Sequence, residues 1–328
     1  MVRLQPEGDH LTALRWGWLI LLGPALASAD DGPEDRALAY LAREVPRWSA
    51  EHRCFSCHNN GDAARALYAA IRLGRPVPAE ATADTDRWLS RPEGWEKNGG
   101  DGPFSDKPLA RIQFASALAA AIDAGRARDR SALRRAALDL AEDQAEDGSW
   151  PVEDGGRVGS PAAYGRPLAA AMAIASLRAA DPDRHRARIE RGERWLLGLT
   201  PRNIPDASAR LMALAGRDLP GAAEARVHDL DLLRRGQAPD GGWGPFADAA
   251  PEPFDTAIAL LALDRHRGEP GVPAMLGRGR AFLVAAQDED GSWPETTRPA
   301  GGESYAQRLS TTGWAALALG RSRIGRDD

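Results

Sequence analysis

Cys54 and Cys57 are the only cysteines in the chain, and they stand in the run His52-Arg-Cys54-Phe-Ser-Cys57-His58-Asn-Asn. Cys-x-x-Cys-His is the spacing at which haem is attached covalently. Each thiol forms a thioether, and the adjacent histidine, carried on the same turn, reaches the iron. The spacing predicts a c-type haem on Cys54 and Cys57, with His58 as its axial iron ligand. No methionine lies nearby to complete the coordination: Met172, Met212 and Met275 fall far along the chain, as do His228 and His266. Two other chemistries use the same residues. One is a redox-active or structural Cys54–Cys57 disulfide; the other is a metal site of His52, Cys54, Cys57 and His58. Zinc normally takes a second Cys/His pair further along, and no cysteine follows Cys57.

Both haem attachment and disulfide formation belong to compartments outside the cytoplasm, and the N-terminus agrees. Leu11 to Ala29 is apolar around Leu19-Ile-Leu-Leu22 and ends in Ala27-Ser28-Ala29. That pattern is a signal-peptide core with a small-residue cleavage site, and it predicts an exported, periplasmic or extracellular chain starting near Asp30. Arg3 and Arg15 are offset by Glu7 and Asp9, so a short amphipathic helix is the alternative. No later segment offers the ~18 unbroken apolar residues of a membrane span. A net charge of −5 supplies no field for nucleic acid. With 43% hydrophobic residues, 328 residues suffice for a large core, here expected as a single domain over 30–328.

The elements that position these residues repeat. Gln144-Ala-Glu-Asp147-Gly-Ser-Trp150, Gln237-Ala-Pro-Asp240-Gly-Gly-Trp243 and Gln287-Asp-Glu-Asp290-Gly-Ser-Trp293 are three copies of one phrase. Each follows a helical stretch (133–143, 223–235, 275–286) and precedes an Ala/Leu-rich one (167–180, 255–265, 311–321). Asp-Gly ends a helix cleanly, and the tryptophan folds back as an apolar cap. Gln237 and Gln287 are 50 residues apart, and Gln144 lies nearly two such periods upstream. A degenerate pair over 187–199 and 206–215 fills the gap, and pairs over 34–45 with 61–73 and 81–89 with 107–124 extend the rhythm to six. The second helix of each pair is apolar all round and must be buried, whereas the first is charged on one side. Six buried helices inside six amphipathic ones predict an all-α (α/α)6 toroid, whose closure removes the open ends of a solenoid.

Gln-x-x-Asp-Gly-Ser/Gly-Trp, with Asp255-Thr256-Ala257 opening an inner helix, resembles the terpenoid cyclase and protein prenyltransferase α/α-toroid superfamily, and the squalene-cyclase repeat most of all. The resemblance implies that Gln144, Asp147, Trp150, Gln237, Asp240, Trp243, Gln287, Asp290 and Trp293 reinforce the ring. It also implies chemistry, which carries over poorly. The family's acid run Asp-x-Asp-Asp-Thr-Ala corresponds to Glu252-Pro253-Phe254-Asp255-Thr256-Ala257, where Phe254 takes the proton donor's place. Protonating an alkene needs an activated carboxylic acid, and phenylalanine has none. The prenyltransferase zinc set needs a late cysteine, which is missing, and neither an Asp-Asp-x-x-Asp run nor a thioester motif is present. Asp84-x-Asp86 and Asp229-x-Asp231 are expected on solvated faces, His185 at the surface, and Asp255 as a helix cap.

A toroid still has a central cavity, and inner-helix N-termini with their preceding loops are expected to line its mouth. Tyr164, Arg166, Glu252, Asp255, Glu303, Tyr305 and Arg308 then share one rim with Lys107 and Arg111. The expectation is a small-molecule or protein ligand in the cavity of an exported ligand-binding or redox protein. The alternatives are a divergent toroid enzyme acting on an isoprenoid or saccharide through Asp255, Glu252 or Glu303, and a structural interaction module.

Overall fold

The computed structural model describes residues 32–97, 106–153, 155–296, 298 and 304–322. The expected signal segment, Glu303 and His10 lie outside these residues. Among the described residues, twelve α-helices alternate between two rings. The outer ring is α1 (Pro33–His52), α3 (Glu80–Leu89), α5 (Ser131–Glu142), α7 (Arg186–Leu197), α9 (Ala222–Gly236) and α11 (Val272–Ala285). The inner ring is α2 (Ala64–Arg72), α4 (Lys107–Asp123), α6 (Arg166–Ala180), α8 (Ile204–Leu214), α10 (Pro253–Asp264) and α12 (Tyr305–Arg321). A π-helical turn over Cys57–Ala63 leads into α2. The described residues contain no strand.

Proline in the first turn sets φ for the inner helices α4, α6, α8 and α10, where the missing N–H costs nothing. Their sequences then bury nearly every position: Phe254 to Leu263 of α10 is continuously buried. Outer helices such as α5 and α7 bury one stripe only. Each inner helix packs on the next, and α12 returns to α2 and the π-helical turn, so the ring is closed.

The repeated phrase makes the joints. Nε2 of Gln144, Gln237 and Gln287 donates to its own turn at Gly148, Gly241 and Gly291 O (3.0, 2.9 and 3.0 Å). It also donates to the next outer helix at Arg188 O, Met275 O and Pro33 O, each at 2.9 Å. The third copy therefore grips the first helix and locks the seam. Trp150, Trp243 and Trp293 are fully buried, and their indole N–H groups cap Leu140, Leu233 and Leu283 O at 2.7, 2.7 and 2.8 Å. Oδ1 of Asp147, Asp240 and Asp290 accepts from the backbone N–H two residues on, holding the turn. The glycines between have φ of +99°, +95° and +91°. At Gly291 a Cβ would sit 2.3 Å from Arg36 O across the seam, so only glycine fits. Gly313 likewise lets α12 approach Ala63, where a Cβ would meet Cα at 2.9 Å.

Candidate functional site

The inner ring encloses a cavity of about 1060 Å³ lined by all six inner helices, at the top of the ~300–1,000 Å³ range of small-molecule sites. Its walls include Ala66, Ala119, Ala171, Met172, Leu261 and Leu317. Along α2, exposure rises from half-buried Arg65 to exposed Arg72, so the cavity opens where the inner helices end. The expected mouth at their N-termini is thus corrected. Three connections entering inner helices, 143–165, 237–252 and 286–304, are long and carry the Trp phrases, whereas those leaving are short turns such as 265–271. The long loops fold over the N-terminal end and close it.

That closed end holds a buried acid. Asp62, at the π-helical turn, is fully buried and sits one turn before Arg65, which lines the cavity. Its Oδ1 accepts from the Tyr164 hydroxyl. Its Oδ2 accepts from Ser310 Oγ and Gln113 Nε2, both at 2.9 Å. Arg65 Nη1 lies 3.5 Å from Oδ1, and its guanidinium stands 4.4 Å from the Trp314 ring centroid. Tyr164 and Phe254 meet Trp314 edge-on at 5.7 and 6.0 Å. Burial pushes the Asp62 carboxyl above its ordinary range, against the opposing pull of Arg65, Tyr164, His58 and Ser310. Burial also raises Tyr164 well above its usual value, reinforced by Asp62. Tyr164 holds this contact from a left-handed conformation, φ +56°, unusual for a side-chain-bearing residue and found where surrounding structure over-determines it.

The sequence-expected residues fall around this centre. Tyr164 lies at the axis rather than on a rim. Asp255 does not cap its helix: it is fully buried and pairs with Arg298 Nη2 at 2.9 and 3.1 Å. Burial lifts it to about 7, Arg298 opposing and Glu252 adding to the rise. Glu252 forms an ion pair with Arg298 Nη1 (2.7 Å) and accepts from Thr296 Oγ1 (2.7 Å), and neither carboxyl lines the cavity. Tyr305 Oη meets Glu44 and Asn59. Arg308 pairs with Asp288 and Glu295, Arg111 with Asp143 and Glu96, and Lys107 with Glu96. Arg166 is exposed. Asp229 is buried against Arg210 (2.7 Å, bidentate) and His185 is buried, both unlike the sequence expectation of solvated positions. An opposite charge on a neighbouring helix makes the first possible, and hydropathy does not register it.

Cys54 and Cys57 carry free thiols. Cys54 is buried and accepts the Trp48 indole N–H at 3.2 Å. Burial pushes the Cys57 thiol up to about 12, with Asp62 adding to it. His58 Nδ1 lies 2.8 Å from Ser310 Oγ, and burial lowers its basicity. The described residues hold no cluster of three or more His, Cys, Asp or Glu suited to a metal ion, and none of their helices is long and apolar enough to cross a membrane.

Sequence reasoning missed Asp62 and Gln113. A signal existed: Asp62, Gln113 and Tyr164 follow each other by one repeat, at separations of 51 and 102 residues from Asp62. Polar residues recurring at the repeat spacing, in or just before apolar inner helices, mark a shared axis.

No protein-family model matches the chain. It is similar to the drimenyl diphosphate synthase of Streptantibioticus cattleyicolor, 28% identical over 262 residues, covering 73% of this chain and 45% of that one. The drimenyl diphosphate synthase of Streptomyces showdoensis is 34% identical over 152 residues, covering 41% and 28%. The chain spans less than half the length of these relatives. Among solved structures, the type II terpene cyclase MstE from Scytonema gives a TM-score of 0.58 at 16% identity, covering 88% of this chain and 96% of the cyclase. A variant of it bound to its substrate geranylgeranyl dihydroxybenzoate gives 0.60 at 15% identity, covering 88% and 96%. The ent-copalyl diphosphate synthase of Streptomyces platensis gives 0.54 at 22%, covering 80% and 50%. The fold is a terpenoid cyclase-like toroid.

Proposed function

We propose that the chain is a divergent terpenoid cyclase-like enzyme that takes an isoprenoid chain into its central cavity and protonates it from Asp62. The observation carrying this reading is Asp62 itself, a fully buried carboxyl beside the cavity floor, with donors on both oxygens. Burial disfavours the ionised carboxyl and raises its pKa. When the proton leaves, Tyr164, Ser310, Gln113 and Arg65 stabilise the carboxylate left behind. The O–H bond breaks as a C–H bond forms on the alkene. The resulting carbocation is positive, and the face of Trp314, which lines the cavity, is suited to it. Arg65 lies between Asp62 and the cavity, so it must swing along the Trp314 face for contact. The sequence expectation of Asp255, Glu252 or Glu303 as the acid is replaced in this reading: Asp255 and Glu252 are held by Arg298. Incubation with farnesyl and geranylgeranyl diphosphates and with geranylgeranyl dihydroxybenzoate tests it. Cyclic product is expected from the unsubstituted chain, and Asp62→Asn should lose ~10²–10⁴-fold or more while retaining substrate binding. Equal turnover by Asp62→Asn refutes the assignment.

Export and a c-type haem on Cys54 and Cys57, with His58 on the iron, form a second proposal, supported by the Cys-x-x-Cys-His order behind an apolar leader. His58 Nδ1 held by an oxygen leaves Nε2 as the ligating atom, the usual arrangement for a metal-bound histidine. With Cys54 under Trp48, attachment would precede closure of the ring. Intact mass and visible spectrum after expression in a host that matures c-type cytochromes decide it: a covalent haem supports it, and two unmodified thiols refute it.

A further inference from the structure

Along α4 and α6 the cavity wall is built mostly of alanines, with Ala119, Ala120, Ala171 and Ala175 among them. Leu261, Trp314 and Leu317 stand opposite, on α10 and α12. The small side chains leave a ligand its room against α4 and α6, and there the apolar wall is interrupted. Among the described lining residues the uncharged polar side chains are Tyr68, Ser116 and Ser176. Tyr68 donates its hydroxyl hydrogen to Asp86 Oδ1 at 2.7 Å. The two serines meet each other between α4 and α6, Oγ to Oγ at 3.3 Å.

The hydrogens of this pair can be placed. Ser176 Oγ donates its single hydrogen to Met172 O, 3.0 Å away and one turn back on α6. It can then only accept from Ser116, whose own hydrogen is committed to that contact. Ser116 has no further hydrogen-bond partner among the described residues, so its lone pairs stay open. It is 7% exposed and Ser176 1%, so Ser116 offers those lone pairs to the cavity and Ser176 orients it from behind. Alanine, the better helix former, serves at the neighbouring wall positions, and a hydroxyl in its place calls for a reason. Ser116 also follows Gln113, a partner of Asp62, by three residues. That places it on the same side of α4, ~4.5 Å further from the closed end.

We propose that Ser116 accepts a hydrogen bond from a hydroxyl group of the cavity's ligand, with Ser176 holding Ser116 in the accepting orientation. The ligand is then an isoprenoid alcohol whose O–H seats in the wall, one helical turn from the level of Asp62. This rests on the cavity holding an isoprenoid, and it adds a polar group that the ligand must carry inside. A ketone or an ether brings no hydrogen to the site. To bind either, Ser116 would have to turn its own hydrogen away from Ser176.

Calorimetric titration of the full chain with borneol, camphor and bornyl methyl ether tests it, because the three share one rigid isoprenoid skeleton and only borneol carries an O–H. Borneol is expected to bind ~5-fold tighter than the other two. Ser116→Ala should bring borneol down to the level of camphor. Ser176→Ala frees the Ser116 hydrogen, so camphor should gain ~3-fold and the preference should shrink. Equal binding of the three by the unsubstituted chain, or an unchanged preference in either alanine variant, overturns the proposal. A lowered Tm in both variants with the preference intact would mark the pair as a tie between α4 and α6 and overturn it too. Product analysis with farnesyl diphosphate separates the readings. Selective borneol binding without cyclic product sinks Asp62 as the acid and leaves the hydroxyl site standing, and cyclic product without the preference does the reverse.

Discussion

Replacing Gly291 with alanine should cost far more than replacing Gly74, although both have positive φ, +91° and +71°. Left-handed backbone costs a side-chain-bearing residue ~1–2 kcal/mol, and at Gly74 that is the whole penalty, since nothing lies within 4 Å of the added Cβ. At Gly291 the Cβ would stand 2.3 Å from Arg36 O, which requires α1 to move. That movement breaks the Gln287 Nε2 bonds to Pro33 O (2.9 Å) and Gly291 O (3.0 Å), each about 1 kcal/mol. The total is at least ~3 kcal/mol, a fall of roughly 4–5 °C in Tm for a chain of this size. The same seam joins Asp62 of the first repeat to Ser310 of the last, so Gly291→Ala should also reduce ligand binding. Thermal melts of the two variants, with hydrogen exchange over α1, measure both effects. Equal losses for Gly291→Ala and Gly74→Ala would refute the seam as the locking joint.

Asp255 keeps its proton in the folded state up to about pH 7, above the ordinary 3.8. The native state therefore binds more protons than the unfolded chain between those values, and stability falls as pH rises through that window; Asp255→Asn should flatten this part of a urea-midpoint profile. Arg210→Ala leaves Asp229 buried without its partner and should lose ~3–5 kcal/mol, whereas Arg210→Met with Asp229→Leu should recover most of it. Equal melts for the single and double variants would contradict that. Because Cys54 is buried and the Cys57 thiol sits at about 12, a disulfide reagent should label the folded, haem-free chain slowly near neutral pH and quickly in denaturant. Fast labelling of folded chain contradicts the placement of that loop.

The double ring was legible because a helix with no polar face, such as Thr256 to Leu263, has one place to go, and because the Gln/Trp phrases count out the repeats. The centre was harder to read. Asp62 is followed by ordinary alanines and preceded by a louder motif, Cys54 to His58, which drew the chemistry toward its own thiols. Its partners Gln113, Tyr164 and Ser310 come from three other repeats, 51, 102 and 248 residues away, and a local window contains none of them. Asp255 shows the converse. Its position near the start of a helix suggested a cap, but Arg298, reaching in from the following long loop, determined its role. The open end was misplaced for the same reason: loop length is visible in sequence, yet which way a loop folds depends on the ring it must cover.

Turnover in D2O tests the acid most directly. If Asp62 starts the reaction by protonating an alkene, cyclic product formed in D2O gains a single deuterium on the carbon that takes the proton, and a diphosphate substrate keeps its diphosphate. Product without deuterium, or with diphosphate released, would mean that the chain is opened at its head and that the buried carboxyl does not initiate.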